Sequence, residues 1–206
     1  MSSSHAPRQN SVTLPQARQA ICVPNLGEGQ GAFQLFVEGD ALFDAMLAAI
    51  EGATETIWME SYIFAADEVG ARFVALLAAK ARTGLDVRLH LDAFGAGQRN
   101  FDKFRRELER SGVRFRWFRP FDLRHPLRYF QRNHRKLLIL DGREAFLSGF
   151  NIRRLNSRRL HGETRQRDTH VRVPASLATL AESHFDRLWQ DARPLPSNAI
   201  PEEADA

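Results

Sequence analysis

Asn133-His134-Arg135-Lys136-Leu137-Leu138-Ile139-Leu140-Asp141-Gly142-Arg143-Glu144-Ala145-Phe146-Leu147-Ser148-Gly149-Phe150-Asn151-Ile152 is the stretch on which the reading of this chain turns. Two apolar runs flank Asp141-Gly142, and Asp-Gly between such runs is among the strongest short-range signals for a tight β-hairpin. A two-residue turn there sets Leu140 opposite Arg143 and, counting back, His134 opposite Gly149. Side chains alternate along a strand, so His134 and Lys136 share one face while Arg135 points to the other. Asn151 falls diagonally across from His134 on that same face. A four-residue turn would move the register and keep this parity. The hairpin therefore gathers an imidazole, an ammonium and a carboxamide beside a glycine that leaves room.

Those residue types suit a phosphoryl group. An imidazole titrates near neutral pH and serves as nucleophile or proton carrier. A lysine and an asparagine supply donors for non-bridging oxygens, where charge is held in the transition state. The carboxylates are not clustered with the histidine, so no metal cage is expected, nor any other cofactor. A bare His-x-Lys would fit an ordinary buried hairpin with a polar edge, but the whole string is longer and more constrained. Asp141 occupies the turn and points away by parity, so its expected role is structural.

Composition sets the bounds. The 206 residues suit one domain with a real core, and the apolar and charged fractions of 43% and 26% are those of a globular protein. The formal charge of +4 favours anionic partners. Cys22 is the single cysteine, which excludes an intrachain disulfide. No run of about 18 apolar residues is present to span a membrane, and residues 1–30 lack a signal-peptide pattern. The expectation is a cytoplasmic protein, able to sit peripherally on the inner membrane face.

Residues 1–31 read as a disordered tail, 32–192 as the domain and 193–206 as a polar tail. The expected elements are a strand at Phe33–Val37, a helix capped by Asp40 and a buried strand from Thr56 to Phe64. A helix capped by Asp67 and ended by Gly84 follows, then a strand at Val87–Leu91 and a helix from Asn100 to Arg110. A strand from Val113 to Phe118 comes before the hairpin. A last helix, Ala175–Gln190, is expected to bury Leu177, Leu180, His184, Leu188 and Trp189. Alternating strands and helices predict an α/β sandwich around a largely parallel mixed sheet.

His134-x-Lys136-x-x-x-x-Asp141, then six residues and Ser148-Gly149-Phe150-Asn151, resembles the HxKxxxxD signature of the phospholipase D superfamily. The flanks are similar to its bacterial cardiolipin synthase branch: Leu35-Phe36-Val37-Glu38-Gly39-Asp40, Trp58-Met59-Glu60-Ser61-Tyr62-Ile63-Phe64, Leu91-Asp92-Ala93-Phe94-Gly95, and Arg167-Asp168-Thr169-His170-Val171-Arg172-Val173. The likeness covers about residues 33–190. Two departures stand out. Ser148-Gly149 replaces the usual Gly-Gly or Gly-Ser, and the chain holds one HxK where cardiolipin synthases carry two.

The resemblance implies a phospholipase D-like phosphodiesterase or phosphatidyltransferase acting on phospholipids. His134 would attack phosphorus, Lys136 and Asn151 would hold its oxygens, and Asp168 would orient His134. Ser148, Gly149 and Glu60, a carboxylate in an apolar strand that needs a partner, would stand behind these. The second histidine would come from another HxK, in a homodimer or a second chain. The alternatives are a homodimeric endonuclease of the same family acting on DNA, or a non-catalytic subunit that lends its motif. Basic and aromatic residues from Arg105 to Arg135 suit phosphates or a headgroup layer and are expected to wall the site. Arg153, Arg154, Arg158 and Arg159 would close the other side.

Overall fold

The computed structural model describes residues 20–23, 33–121, 123 and 131–191. The apolar periodicity after Phe36 builds α1 (Gly39–Gly52), and Asp67 caps α2 (Glu68–Arg82) by accepting from the N–H of Val69 and Gly70 at 3.1 and 3.0 Å. Asp40 is not a cap. It lies inside the first turn of α1, since the helix already begins at Gly39. Its carboxylate accepts instead from Ser157 Oγ at 2.5 Å and Arg159 N–H at 3.0 Å, which ties the loop after Asn151 to this helix.

The strands are β1 (Ala20–Val23), β2 (Phe33–Phe36), β3 (Thr56–Ser61), β4 (Asp86–Asp92), β5 (Arg114–Phe118), β6 (Leu137–Leu140), β7 (Glu144–Ser148) and β8 (His170–Pro174). They form one sheet in the order β1-β2-β8-β7-β6-β3-β4-β5. β1 extends the sheet into the stretch read as tail, pairing Cys22 with Gln34. Its run Ala-Ile-Cys-Val has the β-branched composition of a strand.

α2 and α3 (Gln98–Arg110) cross over between β3, β4 and β5, and those two pairings are parallel. The other five pairings are antiparallel. The α/β sandwich with a mixed sheet is therefore present, but the sheet is not mostly parallel. Hairpin-linked β6 and β7 must run antiparallel, and β8 and β2 continue that sense.

One face of the sheet is covered by a core that includes Leu42, Phe73, Leu77, Phe101, Leu138 and Phe146. The other face packs Trp58, Leu137, Ile139 and Val173 against Ala178, Phe185 and Trp189 of α5 (Ala175–Asp191). Leu177 and Leu180, expected inside, are exposed. The buried stripe of α5 is Ala178, Phe185 and Trp189, the last as expected, while His184 is exposed with the two leucines.

The topology decides where chemistry can gather. β3 and β4 end at one edge of the sheet, and β6, antiparallel to β3, begins there. β7 ends there and β8 begins there.

Candidate active site

His134 lies three residues before β6 on an approach segment held by Asp92. The Asp92 carboxylate accepts from Asn133 N–H at 2.9 Å and from the Arg132 guanidinium at 3.4 Å. Its Oδ1 also caps the loop after β4 through the N–H of Phe94 and Gly95, both at 3.0 Å. An aspartate at a strand's C-terminal end is the sequence signal for such a loop, but nothing in the sequence pairs Asp92 with a residue 41 positions away.

The imidazole is exposed, and its ring rests on Tyr62 with centroids 3.8 Å apart at 36°. Gly95 makes this possible, because a Cβ there would lie 2.3 Å from the Tyr62 carbonyl oxygen and 2.8 Å from its ring. Lys136 Nζ stands 3.4 Å from His134 Nδ1, donates to the His134 carbonyl at 2.8 Å and lies 5.5 Å from the Tyr62 centroid. Partial desolvation, then the Lys136 charge, pulls His134 below the ordinary imidazole range, against a weaker opposing pull from Asp92. Lys136 is lowered as well, first by desolvation; Asp168 opposes this and Arg153 adds to it.

The hairpin register differs from the expected one. Leu140 pairs with Glu144, so three residues turn the chain, with Asp141 and Gly142 at φ 52° and 61°. Lys136 then meets Ser148, whose N–H donates to the Lys136 carbonyl at 3.2 Å. Ser148 has φ 133°, which breaks the strand and frees the following residues from the hairpin's alternation.

Asn151 therefore reaches the edge by another route. Phe64 and Ile152 form a parallel bridge, and Asn151 Oδ1 accepts from Ile63 N–H at 3.1 Å. That bond identifies the amide's oxygen end and leaves Nδ2 as its donor.

Asp168 does not contact the imidazole. Its carboxylate occupies the space above Gly149, where a Cβ would sit 1.8 Å from Oδ1, and Oδ1 accepts from Thr169 N–H at 2.8 Å. Its field acts on Lys136. The absent side chain of Gly149 leaves the room that the carboxylate fills. Asp141 sits at the far end of the hairpin and accepts from Thr54 N–H and Oγ1, Glu55 N–H and Thr56 N–H at 2.8–3.1 Å.

His170 is 2% exposed on β8, and burial pushes its imidazole down to about 3. A backbone hydrogen bond with Phe146 opposes that push.

The expected walls are largely something else. Phe115, Trp117 and Phe118 pack into the sheet, and Arg116 lies over Trp189 at 4.6 Å. Arg105 pairs with Asp102 and Glu109 on α3. Arg124, Arg128, Tyr129 and Phe130 lie outside the described residues. On the other side Arg154, Arg158 and Arg159 pair with Glu68, Glu163 and Asp44, and Arg153 bonds Asn156 and Gln166.

The sheet order, with His134-x-Lys136 entering at the shared edge, defines a phospholipase D-like fold. Nuc, a phospholipase D family member from Salmonella typhimurium, superposes with a TM-score of 0.63 at 21% identity, over 80% of this chain and 98% of that one. Phosphatidylserine synthase from Haemophilus influenzae does so with a TM-score of 0.65 at 18% identity, over 87% and 42%. More particularly, the chain belongs to the family described as cardiolipin synthase, PLD-like domain, whose model matches residues 46–189. Cardiolipin synthase of Listeria monocytogenes serotype 4a is 38% identical over 164 residues, and that of Clostridium perfringens strain 13 is 34% identical over 161. Each match takes in 77% of this chain, which spans about a third (33%) of the length of these relatives. Among the described residues no helix is long and apolar enough to cross a membrane.

Proposed function

We propose that the chain is a phospholipid-processing enzyme of the cardiolipin synthase type and supplies one histidine–lysine half of its site. The observation that carries this is His134 on its Tyr62 support, with Lys136 Nζ 3.4 Å from its ring. In the first step a His134 nitrogen attacks phosphorus, the ester bond to the leaving alcohol breaks, and a second histidine protonates that alcohol. In the second step that histidine takes the proton of an incoming hydroxyl, from a glycerol headgroup or water. The new P–O bond forms and the P–N bond breaks. Lys136 and Asn151 Nδ2 hold the non-bridging oxygens throughout, while Asp168 balances Lys136.

A phospholipid rather than another phosphodiester is supported by the cardiolipin synthase relatives and by the character of the edge. Phe94, Phe121 and Leu123, on the segments after β4 and β5, are 58%, 59% and 84% exposed. Exposed apolar side chains of this kind suit a peripheral position on the inner face of a membrane. The second reading, a homodimeric endonuclease on DNA, draws on the net charge of +4 and on a fold that covers 98% of the Nuc chain.

The test is mass analysis of a phosphatidylglycerol and phosphatidylcholine mixture after incubation, run beside a plasmid-nicking assay. New diphosphatidyl or hydrolysed lipid, abolished by His134→Ala in a folded variant, is the expected result. Nicking without lipid turnover would select the nuclease, and full lipid activity of His134→Ala would remove the mechanism.

A further inference from the structure

We infer that Glu60 is a positioning residue for His134, acting from the opposite face of the sheet through the two residues that flank it. The inference rests on the proposed role of His134. Glu60 lies on β3 with its side chain fully buried. One of its oxygens, Oε1, accepts from Asn133 Nδ2. The Arg135 guanidinium reaches Oε1 at 3.2 Å and Oε2 at 2.9 Å. The ring is closed by Asn133 itself, whose Oδ1 accepts from Arg135 N–H at 3.2 Å. Glu60, Asn133 and Arg135 thus form a closed circuit around the backbone of His134.

The alternation of β6, carried back into its approach segment, leaves the imidazole free of this circuit. Residues 133 and 135 face α5, where Arg135 also meets the His184 carbonyl at 3.5 Å. His134 and Lys136 face the other way, toward Tyr62. Glu60 therefore fixes where the nucleophile's backbone sits without touching its ring.

Stability alone does not account for the carboxylate. Arg135 is 36% exposed and needs no buried partner, and a buried ion pair is often matched or bettered by apolar residues of similar volume. Its neighbours Trp58 and Met59 are such residues. His90 adds to the burden: Nδ1 stands 3.4 Å from Oε1, and neither ring nitrogen completes a hydrogen bond. What the carboxylate supplies is a fixed geometry on both sides of one residue, and small misplacements of a reacting group are costly in rate.

Two variants break the circuit. Glu60→Gln keeps an oxygen for Asn133 Nδ2 but sets an NH2 group against the Arg135 guanidinium in place of the second carboxylate oxygen; Asn133→Ala opens the circuit with no change of charge. In each folded variant kcat should fall about 10- to 100-fold while KM stays within about twofold. The double variant should be no slower than the slower single. The decisive readout needs no substrate: the His134 ring, titrated by NMR. Loosened from Lys136 and Tyr62, its midpoint should rise toward the ordinary imidazole value in both variants. Losing the Glu60 charge alone would move it the other way. An unchanged or lower midpoint in the folded variants, or additive losses of kcat, would overturn the inference. Should Glu60→Gln fail to fold, Asn133→Ala carries both measurements. A wild type inactive on lipid would defeat the proposed substrate, while the NMR midpoints would still decide the role of Glu60.

Discussion

His134 combines exposure with a depressed proton affinity, which is what a nucleophilic imidazole requires. Its face lies on Tyr62, and the ammonium of Lys136 is held close by its bond to the His134 carbonyl. Partial desolvation and then the Lys136 charge disfavour the charged ring and lower its proton affinity, against a weaker pull from Asp92. The acid limb of kcat/KM should then fall below the ordinary imidazole midpoint. Lys136→Met removes the second of the two causes, and the His134 midpoint read by NMR should move up. A midpoint that moves down, or an acid limb above the ordinary value, would contradict these causes. Gly149 belongs to the same scale, since any side chain there would displace the Asp168 carboxylate that faces Lys136.

The hairpin of β6 and β7 does two separate jobs at its two ends. Its open end carries the candidate site, and its turn is bolted to the start of β3 by the four bonds that Asp141 accepts. Burial opposes ionisation of that carboxyl, but the N–H groups of Thr56, Thr54 and Glu55 outweigh it and hold it below the usual range. Asp141→Ala should cost about 1–2 kcal/mol in a denaturant melt, given three backbone donors left without their acceptor at a partly exposed site. kcat should be unchanged. Because the folded carboxyl is the more acidic, its contribution is present above the unfolded pKa of about 3.9 and fades as pH falls through the lowered folded value. The gap between wild type and variant should therefore close in acid. A gap that widens in acid, or lost activity at full stability, would move Asp141 from the scaffold to the site.

At the scale of the molecule, one HxK motif meets a proposed mechanism that asks for two histidines on opposite sides of phosphorus. The chain spans a third of its cardiolipin synthase relatives, while its fold covers 98% of the Nuc chain. A closed two-fold dimer would bring the same edge of two copies together and place His134 beside its symmetry mate. Excess His134→Ala subunits mixed with wild type should then poison activity, because each mixed dimer carries a single histidine. Sedimentation should show the dimer at assay concentration. An active monomer, or no poisoning, would exclude that assembly; an inactive monomer rescued by another HxK-bearing chain would establish a split enzyme.

Much of this molecule was legible in its sequence, because local signals and local physics agree there. Asp-Gly between apolar runs marked the hairpin, Asp67 marked a helix cap, and strand alternation put His134 and Lys136 on one face and Arg135 on the other. Strand pairing was less legible: a three-residue turn moves every partner by one, and the positive φ of Ser148 cancels the diagonal that would have located Asn151. Only the tertiary structure set Asn151 on Ile63, Asp168 over Gly149 rather than on the imidazole, Tyr62 beneath His134, and Asp92 and Glu60 behind it. Those contacts join residues 41 to 88 positions apart in the chain, or fill space that a glycine leaves open. No periodicity records such distances; they exist once β3, β4, β6, β7 and β8 bring their ends to one edge of a single sheet.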